Sequence, residues 1–300
     1  MALNWQTFRT RALTAIIFVI VMMAGLLWNQ WSFLILFSII HFGCWWEYLQ
    51  LLEKIYKTSF HNYTKLGFLL LGYGVMLLFC NNFYQVNNYT LKDNLSLPFS
   101  AAGIGLLIAG IFQKNKVDIK AFGIAALGLL YISVSWGFML SFYKMIDIHI
   151  HDTMYVMPAN FLPLVIIASI WINDTMAYIV GSMIGKTPLS KISPKKTWEG
   201  TAGGVILCVV VVSLLFYMLY LKNMIDSPIP MLIVIAIIAL VAAVMGTLGD
   251  LLESKLKRMA DVKDSGSFMP GHGGFLDRFD SLLIANLSIG LLVTVFSLLR

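Results

Sequence analysis

The chain has 300 residues, of which 59% are hydrophobic and only 12% are charged, and its mean hydropathy is +0.82. This composition excludes an ordinary soluble fold, because a water-soluble domain cannot expose so much apolar surface. The net charge of +6 does not indicate a nucleic-acid partner, because no basic segment stands apart from the apolar runs. The sequence therefore predicts one all-α, polytopic integral membrane domain over residues 1–300 and no nucleic-acid binding.

Nine apolar runs approach or exceed the length of about 20 residues that a helix needs to cross a bilayer. They lie near residues 12–28, 31–52, 66–83, 97–112, 121–143, 160–185, 202–221, 229–249 and 281–299. No small-residue cleavage site follows the first run, so we interpret it as an uncleaved anchor rather than a signal peptide. The sequence thus predicts about nine transmembrane helices.

The basic residues indicate the orientation of these helices, because Lys and Arg are retained preferentially in cytoplasmic loops. With the N-terminus in the cytoplasm, 17 of the 21 Lys and Arg residues fall on the inner side. The outer side keeps Lys92, Lys144, Lys222 and Arg300. Adding or removing one span before residue 186 would destroy this asymmetry. We therefore predict a cytoplasmic N-terminus and two unusual cytoplasmic loops, residues 186–201 and 250–280.

Several polar or reactive residues are predicted to have no catalytic role. All three cysteines lie in apolar runs, where we expect small buried side chains: Cys44, Cys80 and Cys208. A cluster that resembles a metal site falls on the outer side, where we expect a solvated loop: His149, His151 and Asp152. The outer segment 84–96 is interpreted as a plain polar connection.

Asp174 lies well inside the sixth apolar run. A carboxylate at that depth costs several kcal/mol unless it faces a polar cavity or a cation, so Asp174 is a functional candidate. A hydrogen bond between helices is the alternative interpretation. Gly181 and Gly185 follow on the same helix and are predicted to let a neighbouring helix approach closely.

The loop at 186–201 carries four lysines together with hydroxyl groups and a Ser-Pro turn. Ser193, Lys195 and Lys196 form a cationic, donor-rich segment that suits phosphate groups, although a positive-inside anchor would also supply lysines. An anchor does not explain the segment Trp198-Glu199-Gly200, which we expect to be buried.

The loop at 250–280 contains eleven of the chain's 36 charged residues. If the eighth helix continues into it, Asp250, Ser254 and Lys257 lie on one face at positions i, i+4 and i+7. Asp277 and Asp280 share a face in the same way. Carboxylate ligands without a histidine pair favour a hard cation such as Mg²⁺, completed by water and substrate phosphates.

Glycines 271, 273 and 274 surround His272, so that backbone N–H groups can approach an anionic ligand. His272 is a candidate general acid or base, or a hydrogen-bond donor to a phosphate. Glu47, near the inner end of the second run, is either a contact between helices or a group that supports the site from behind.

These residues carry a family resemblance. The pattern Ser254-x-Leu256-Lys257-Arg258, then Lys263-Asp264-x-Gly266, then Pro270-x-His272-Gly273-Gly274-x-x-Asp277-Arg278-x-Asp280 resembles the signature of the phosphatidate cytidylyltransferases, also called CDP-diacylglycerol synthases. A second block agrees, with Asp174-Thr175-x-Ala177-Tyr178, Gly181, Gly185-Lys186 and Ser193-Pro194-Lys195-Lys196-Thr197-Trp198-Glu199-Gly200. The resemblance covers about residues 171–281, and Met269 and Met176 depart from it without removing a polar group.

The resemblance implies that CTP and phosphatidic acid are converted to CDP-diacylglycerol and pyrophosphate. It implies Asp250 and Asp277 as metal ligands, in a centre described as Mg²⁺ with a K⁺ ion. The expected catalytic residues are Asp250, Asp277, Asp280, His272, Lys257 and Lys263. The expected substrate-binding residues are Ser254, Arg258, Arg278, Gly273, Gly274, Lys195, Lys196, Ser193 and Asp174. Residues 156–300 would form the catalytic half, and residues 1–155 the N-terminal transmembrane helices, which resemble the family only as hydrophobic spans.

Rival functions have weaker support. The Asp-Gly-x-x-Ala-Arg pattern of CDP-alcohol phosphotransferases is absent, as is the Asp-Asp pair of prenyl-phosphate sugar-phosphate transferases. A cation or phosphate transporter would carry polar residues on several spans, whereas only Asp174 and Glu47 are acids well within one.

The compact length favours a bacterial plasma membrane, with the active site facing the cytoplasm and surrounded by membrane lipids. The oligomeric state stays open, and a homodimer is one alternative.

Overall fold

A computed structural model describes residues 5–113, 118–150, 153–222, 228–268 and 273–298. In these ranges the chain forms nine helices: α1 (Trp5–Leu27), α2 (Gln30–Tyr56), α3 (Asn62–Leu77), α4 (Leu91–Ile111), α5 (Ile119–Phe142), α6 (Phe161–Ile184), α7 (Trp198–Leu221), α8 (Ile229–Met259) and α9 (Leu276–Leu298). Two helices contain π-helical turns, at Leu129–Val134 in α5 and at Tyr217–Leu221 in α7. Two antiparallel hairpins complete the structure, β1 (Gln85–Val86) with β2 (Tyr89–Thr90) and β3 (Ile146–Ile150) with β4 (Thr153–Met157).

The helices confirm the predicted all-α polytopic membrane protein. Within the described residues, 7 helices are long and apolar enough to cross a bilayer. The other two are α3, which has 16 residues, and α1, whose shorter apolar part is Leu13–Leu27. Each of the nine helices overlaps one of the nine apolar runs in the sequence.

The connection before α4 differs from the prediction. Residues 84–96 are not a plain polar loop, because β1 and β2 form a hairpin there and α4 already begins at Leu91. Asn87 and Asn88 occupy the turn with φ angles of 48° and 66°, which asparagine tolerates well in hairpin turns. Thr90 then caps the helix by accepting a hydrogen bond from the Asp93 N–H at 3.3 Å. Because Thr90 caps the helix, α4 begins at Leu91, several residues before its apolar run.

The predicted loop 250–280 is also shorter than expected. Helix α8 continues past its apolar run to Met259, and α9 begins at Leu276. Leu, Glu, Lys and Arg in the extension are all good helix formers, so loss of hydrophobicity does not end the helix. Asp250, Ser254 and Lys257 are consequently helical residues, as the conditional prediction required.

The chain divides into two compact units. The first unit comprises Met1–Ser141 and Lys255–Phe279, and the second comprises Phe142–Ser254 and Asp280–Arg300. The segment Lys255–Phe279 therefore belongs with the first five helices, although it lies in the C-terminal half of the sequence.

The first unit has an aromatic core built around α2. The rings of Trp45 and Phe68 are stacked with their centroids 5.7 Å apart, and those of Phe37 and Trp136 lie 5.2 Å apart. Ser133, in the π-helical turn of α5, is fully buried beside them. Its Oγ accepts a hydrogen bond from Trp45 Nε1 at 2.8 Å and lies 3.0 Å from His41 Nε2. One hydroxyl therefore serves two buried polar rings of α2.

Replacing Ser133 with alanine should destabilise the protein by about 1–2 kcal/mol, because two buried polar groups would lose their shared partner. Thermal unfolding in detergent, followed by circular dichroism, measures the effect. Ser141→Ala is the matched control in the same helix, since the Ser141 Oγ donates only to the Phe138 carbonyl within α5. Equal midpoints for the two variants would contradict the prediction.

The second unit is held by close contact between α6 and α7. A Cβ atom at Gly200 would lie 2.8 Å from the Ala177 carbonyl oxygen, and one at Gly204 would lie 2.7 Å from the Ala177 Cβ. Small residues thus let the two backbones approach, as in other membrane helix pairs.

Cys208 of α7 donates through Sγ to the Ser169 carbonyl at 3.2 Å. All three cysteines are buried, as predicted.

Candidate active site

A cavity of about 510 Å³, lined by charged, hydroxyl-bearing and small residues, lies within the second unit. Helix α6 contributes Asp174, α8 contributes Asp250, and the segment between α6 and α7 contributes Lys195 and Lys196. The remaining wall consists of small and hydroxyl-bearing residues together with one amide and one tyrosine: Asn173, Ala177, Tyr178, Gly181, Ser182, Ser193, Thr197, Thr201 and Thr247. Residues far apart in the sequence therefore meet in one cavity, where Asp250, an implied metal ligand, lies with Asp174, Lys195 and Lys196 of the second block.

Charged groups of both signs face each other in this cavity. The Lys196 ammonium forms an ion pair with the Asp250 carboxylate. The same carboxylate accepts a hydrogen bond from Ser254 Oγ at 3.2 Å, one turn further along α8. Asn173, one residue before Asp174, donates through Nδ2 to Thr247 Oγ1 at 3.4 Å. The lysines suit a phosphate-bearing ligand, and the carboxylates suit a cation that accompanies it.

The connection between α6 and α7, residues 185–197, is called the lysine-bearing segment below. It is fixed by the N-terminus of α7. The Glu199 carboxylate accepts hydrogen bonds from the Lys186 and Thr187 N–H groups, both at 3.1 Å through Oε2. The Leu189 N–H donates to the Lys196 carbonyl at 2.7 Å, which closes the segment on itself. Thr197 caps α7 by accepting from the Gly200 N–H at 3.1 Å. An acidic residue in the first helical turn also suits the positive end of the helix dipole.

The expectation that Trp198-Glu199-Gly200 is buried as a whole is wrong. Gly200 is buried against α6, but the Trp198 side chain is 59% exposed. Tryptophan is common at membrane–water interfaces, where its ring faces lipid and its N–H stays near water. An apolar side chain near the end of a membrane helix therefore does not indicate burial inside the protein.

Replacing Glu199 with glutamine should loosen the lysine-bearing segment. A glutamine keeps only one acceptor oxygen, and its amide N–H₂ would face the two backbone N–H groups that now share the carboxylate. We expect faster trypsin cleavage after Lys186, Lys191, Lys195 and Lys196, with cleavage after Lys57 as the internal reference. Unchanged cleavage rates would contradict the role of Glu199 as the fastening group.

A second cluster lies in the first unit, around Asp277 at the start of α9. The Asp277 Oδ1 atom forms an ion pair with Lys257 Nζ at 2.6 Å. The Oδ2 atom accepts hydrogen bonds from the Ser265 N–H at 2.8 Å, the Ser265 Oγ at 2.9 Å and the Gly274 N–H at 2.8 Å. Gly273 has a φ of +84°, a value that favours glycine. Asp277 therefore connects the end of α8 and the start of α9 with both described parts of the segment between them, residues 260–268 and 273–275.

Glu47 of α2 supports the same segment from within the first unit. Its carboxylate is buried and accepts hydrogen bonds from Ser265 Oγ at 2.7 Å and from the Phe275 and Leu276 N–H groups, each at 2.9 Å. Glu47 therefore connects α2 with the start of α9, and its support of the site stays a prediction.

The structure distributes the predicted site residues as follows. The cavity of the second unit contains Asp174, Ser193, Lys195, Lys196 and Asp250, with Ser254 bonded to Asp250. The cluster of the first unit contains Lys257, Gly273, Gly274 and Asp277. The basic side chains of Arg258, Lys263 and Arg278 are exposed and do not line the cavity. Asp280 is buried and accepts from the Ser281 N–H at 2.6 Å. His272 lies outside the described residues.

Sequence reasoning missed Ser265, Asn173 and Thr247. Ser265 occupies the variable position of the Lys263-Asp264-x-Gly266 pattern, where nothing distinguishes it from a surface serine. Asn173 directly precedes Asp174, and a second polar residue at that depth in an apolar run was an available signal. Thr247 lies three residues before Asp250, but a threonine in a membrane helix usually bonds to its own backbone.

The donor set of the cavity suits a hard divalent cation. Among the described residues, no group of three or more His, Cys, Asp or Glu side chains could hold a metal ion. Mg²⁺, however, usually binds only one or two protein carboxylates and keeps waters or substrate phosphates as its other ligands. Asp174 and Asp250, which line the cavity together with Thr201 and Thr247, can supply those one or two carboxylates. The assignment of Asp250 and Asp277 to one metal stays a prediction.

Comparisons with known proteins agree with this chemistry. The family model described as "Cytidylyltransferase family" matches residues 9–296. A phosphatidate cytidylyltransferase of Bacillus subtilis is 36% identical over 193 residues, which cover 64% of this chain and 65% of that protein. The corresponding protein of Staphylococcus haemolyticus is 35% identical over 200 residues, covering 66% and 67%. The chloroplastic phosphatidate cytidylyltransferase 4 of Arabidopsis thaliana is 43% identical over 112 residues, or 37% of this chain and 27% of that protein.

The match thus spans a little under two thirds of the Bacillus subtilis relative and about a quarter of the Arabidopsis thaliana relative. The family model covers nearly the whole chain, including the cavity of the second unit and the Asp277 cluster of the first. The chain belongs to the cytidylyltransferase family.

Proposed function

We propose that the chain transfers CMP from CTP to phosphatidic acid, forming CDP-diacylglycerol and pyrophosphate. The observation that carries the proposal is the cavity that Lys195, Lys196, Asp174 and Asp250 line together, with Lys196 paired with Asp250. Ammonium groups beside carboxylates can hold a triphosphate and its counter-ion together. The relatives from Bacillus subtilis and Staphylococcus haemolyticus, which carry the name phosphatidate cytidylyltransferase, support the same reaction.

The reaction requires positioning and charge neutralisation rather than a protein nucleophile. An oxygen of the lipid phosphate attacks the α-phosphorus of CTP in line. A new P–O bond forms as the bond to the β-phosphate oxygen breaks, and pyrophosphate leaves with that electron pair. The lysines of the cavity would bind the phosphate groups and stabilise the negative charge that develops on them. Lys257, held by Asp277, is a further phosphate-binding candidate.

The proposal includes Mg²⁺, with K⁺ as the second ion that the resemblance implies. Asp250 would hold the divalent ion, with Asp277 as the second ligand in the family assignment and Asp174 as a further oxygen donor. When bound, Mg²⁺ would neutralise phosphate charge and polarise the α-phosphate. The side chains that line the cavity would orient the nucleotide, and Asp250 would keep the Lys196 ammonium beside the phosphates.

The protein is a multi-pass membrane protein, and we propose that its site faces the cytoplasm of a bacterial cell. CTP is a cytoplasmic nucleotide, and the positive-inside rule puts the lysine-bearing segment on that side. Phosphatidic acid would enter from the inner leaflet. Protease accessibility of the lysine-bearing segment in sealed, oriented membrane vesicles tests this orientation.

The direct test is formation of labelled CDP-diacylglycerol from CTP and phosphatidic acid by the purified protein in detergent, with and without Mg²⁺. Mg²⁺-dependent product is the expected result. No product under conditions where the protein stays folded and binds CTP would contradict the proposed acceptor, and a panel of other lipid phosphates would then identify the true one.

A further inference from the structure

Glu47 is a buried acid whose hydrogen-bond donors, within the residues that the structure describes, come from one distant segment. Its side chain is 5% exposed, and its donors are Ser265 Oγ, Phe275 N–H and Leu276 N–H. These donors lie 218 to 229 residues away in the sequence. Burial of a carboxylate is costly unless hydrogen bonds replace its water. The free energy of burial is therefore recovered only when the segment between α8 and α9 is seated on Glu47.

The shape of that segment follows the carboxylate closely. A Cβ atom at Gly266 or at Gly274 would overlap the Glu47 side chain. A Cβ atom at Gly43, one turn before Glu47 on α2, would overlap the Phe275 ring. Three glycines in two distant parts of the chain thus remove the side chains that would prevent this approach.

Ser265 connects Glu47 with Asp277. Its Oγ lies 2.7 Å from Glu47 Oε2 and 2.9 Å from Asp277 Oδ2. A hydroxyl has a single hydrogen, so it donates to only one of the two carboxylates at a time. A change of charge at Glu47 therefore alters the hydrogen bonding of Asp277 without touching it. The Leu276 N–H, which also bonds to Glu47, belongs to the first residue of the helix that carries Asp277, and the Phe275 N–H directly precedes that helix.

We infer that Glu47 is a positioning residue for CMP transfer, an inference that rests on the proposed function. It acts through Ser265 and through the Phe275 and Leu276 N–H groups at the start of α9, and so holds Asp277 and its partner Lys257 in one geometry. Groups that orient an active-site ligand from behind typically change activity or metal affinity by about 10–100-fold when mutated. Glu47→Gln should accordingly lower kcat by about that factor, with a smaller change in the KM for CTP.

The experiment compares Glu47→Gln with Glu53→Gln in the purified full-length protein. Glu53 lies on the same helix and fastens a different segment, since its carboxylate accepts from the Phe60 N–H at 2.7 Å and from Lys65 Nζ at 2.9 Å. Glu53→Gln changes a comparable set of hydrogen bonds, whose donors are Phe60 and Lys65 rather than the described residues of the segment between α8 and α9. We expect both variants to lose some thermal stability, and only Glu47→Gln to lose kcat.

A double-mutant cycle separates positioning from a merely structural effect. Ser265→Ala should lower kcat by the same route as Glu47→Gln, so the losses of kcat in these two variants should be strongly non-additive in the double mutant. The pair Glu47→Gln and Glu53→Gln should show no coupling in kcat. If Glu47→Gln does not fold, Ser265→Ala alone still tests the route. The inference would be overturned if Glu47→Gln or Ser265→Ala kept the kcat of the wild-type protein.

A second readout separates this inference from the proposed function. Amide hydrogen exchange in residues 265–277 should be faster in Glu47→Gln than in the wild-type protein, and unchanged in Glu53→Gln. Absence of product with the wild-type protein would overturn the proposed function and the catalytic part of the inference. Exchange that is equally slow in all three proteins would overturn the role of Glu47 in ordering the segment, whatever the activity.

Discussion

Asp277→Asn is expected to lower the rate of CDP-diacylglycerol formation by on the order of 10²–10³-fold, the loss typical of one charged group that stabilises a transition state. The Asp277 carboxylate accepts from Ser265 and Gly274 on one oxygen and pairs with Lys257 on the other. Asparagine keeps one acceptor oxygen, so its N–H₂ group must face either the ammonium or the backbone donors. Initial rates with saturating CTP and phosphatidic acid measure the effect.

The rest of the molecule should remain folded, because the substitution is isosteric and lies in the first turn of α9. Asp261→Asn is the matched control, since Asp261 is exposed in the same segment and has a φ of 54°, which asparagine also tolerates. The Mg²⁺ concentration for half-maximal rate distinguishes two roles. It should rise if Asp277 is a metal ligand, and stay constant if Asp277 only fixes Lys257 and the segment. Near-normal turnover at saturating Mg²⁺ would contradict both.

Asp250→Asn is the second substitution with a large expected effect, again a loss on the order of 10²–10³-fold in turnover. Asp250 is the carboxylate that pairs with Lys196 in the cavity and is also the residue that the resemblance assigns to the metal. A neutral amide can neither hold a divalent cation with the same affinity nor fix the ammonium. Binding of Mn²⁺ as a probe, followed by electron paramagnetic resonance, should weaken in parallel with the rate.

Lys196→Ala tests how much of the Asp250 effect comes from the ion pair alone. Lys191→Ala is the matched control, because Lys191 is exposed in the same segment and does not line the cavity. We expect Lys196→Ala to raise the KM for CTP and to leave Mn²⁺ binding intact. If Lys196→Ala reproduced the whole loss seen in Asp250→Asn, including the loss of Mn²⁺ binding, the proposed role of Asp250 in holding the cation would be wrong.

The pattern of hydrophobicity predicted the membrane helices well but not all of their ends. Apolar runs report where a helix is surrounded by lipid or by other helices, whereas helix ends depend on caps and on helix propensity. For this reason α4 begins before its apolar run, at a threonine cap, and α8 continues ten residues beyond the end of its run, to Met259.

The candidate site was predictable in part for a similar reason. Asp174, Asp250, Lys195 and Lys196 are conspicuous because charged groups are rare in a chain of this composition, and the structure places them on one cavity. Ser265 and Thr247 carry no such signal, because hydroxyl residues are common in loops and in membrane helices and their partners are chosen only when the chain folds.

The sequence by itself determined the class of this protein, since hydropathy, charge distribution and two blocks of spaced polar residues depend only on the order of amino acids. The tertiary structure decided which of these groups meet. Glu47 receives its donors from residues 218 and more positions away, and Asp277 is held by a serine that no pattern marks. Such long-range hydrogen bonds depend on how helices pack around a few glycines, and packing is a property of the folded chain rather than of any local stretch of sequence.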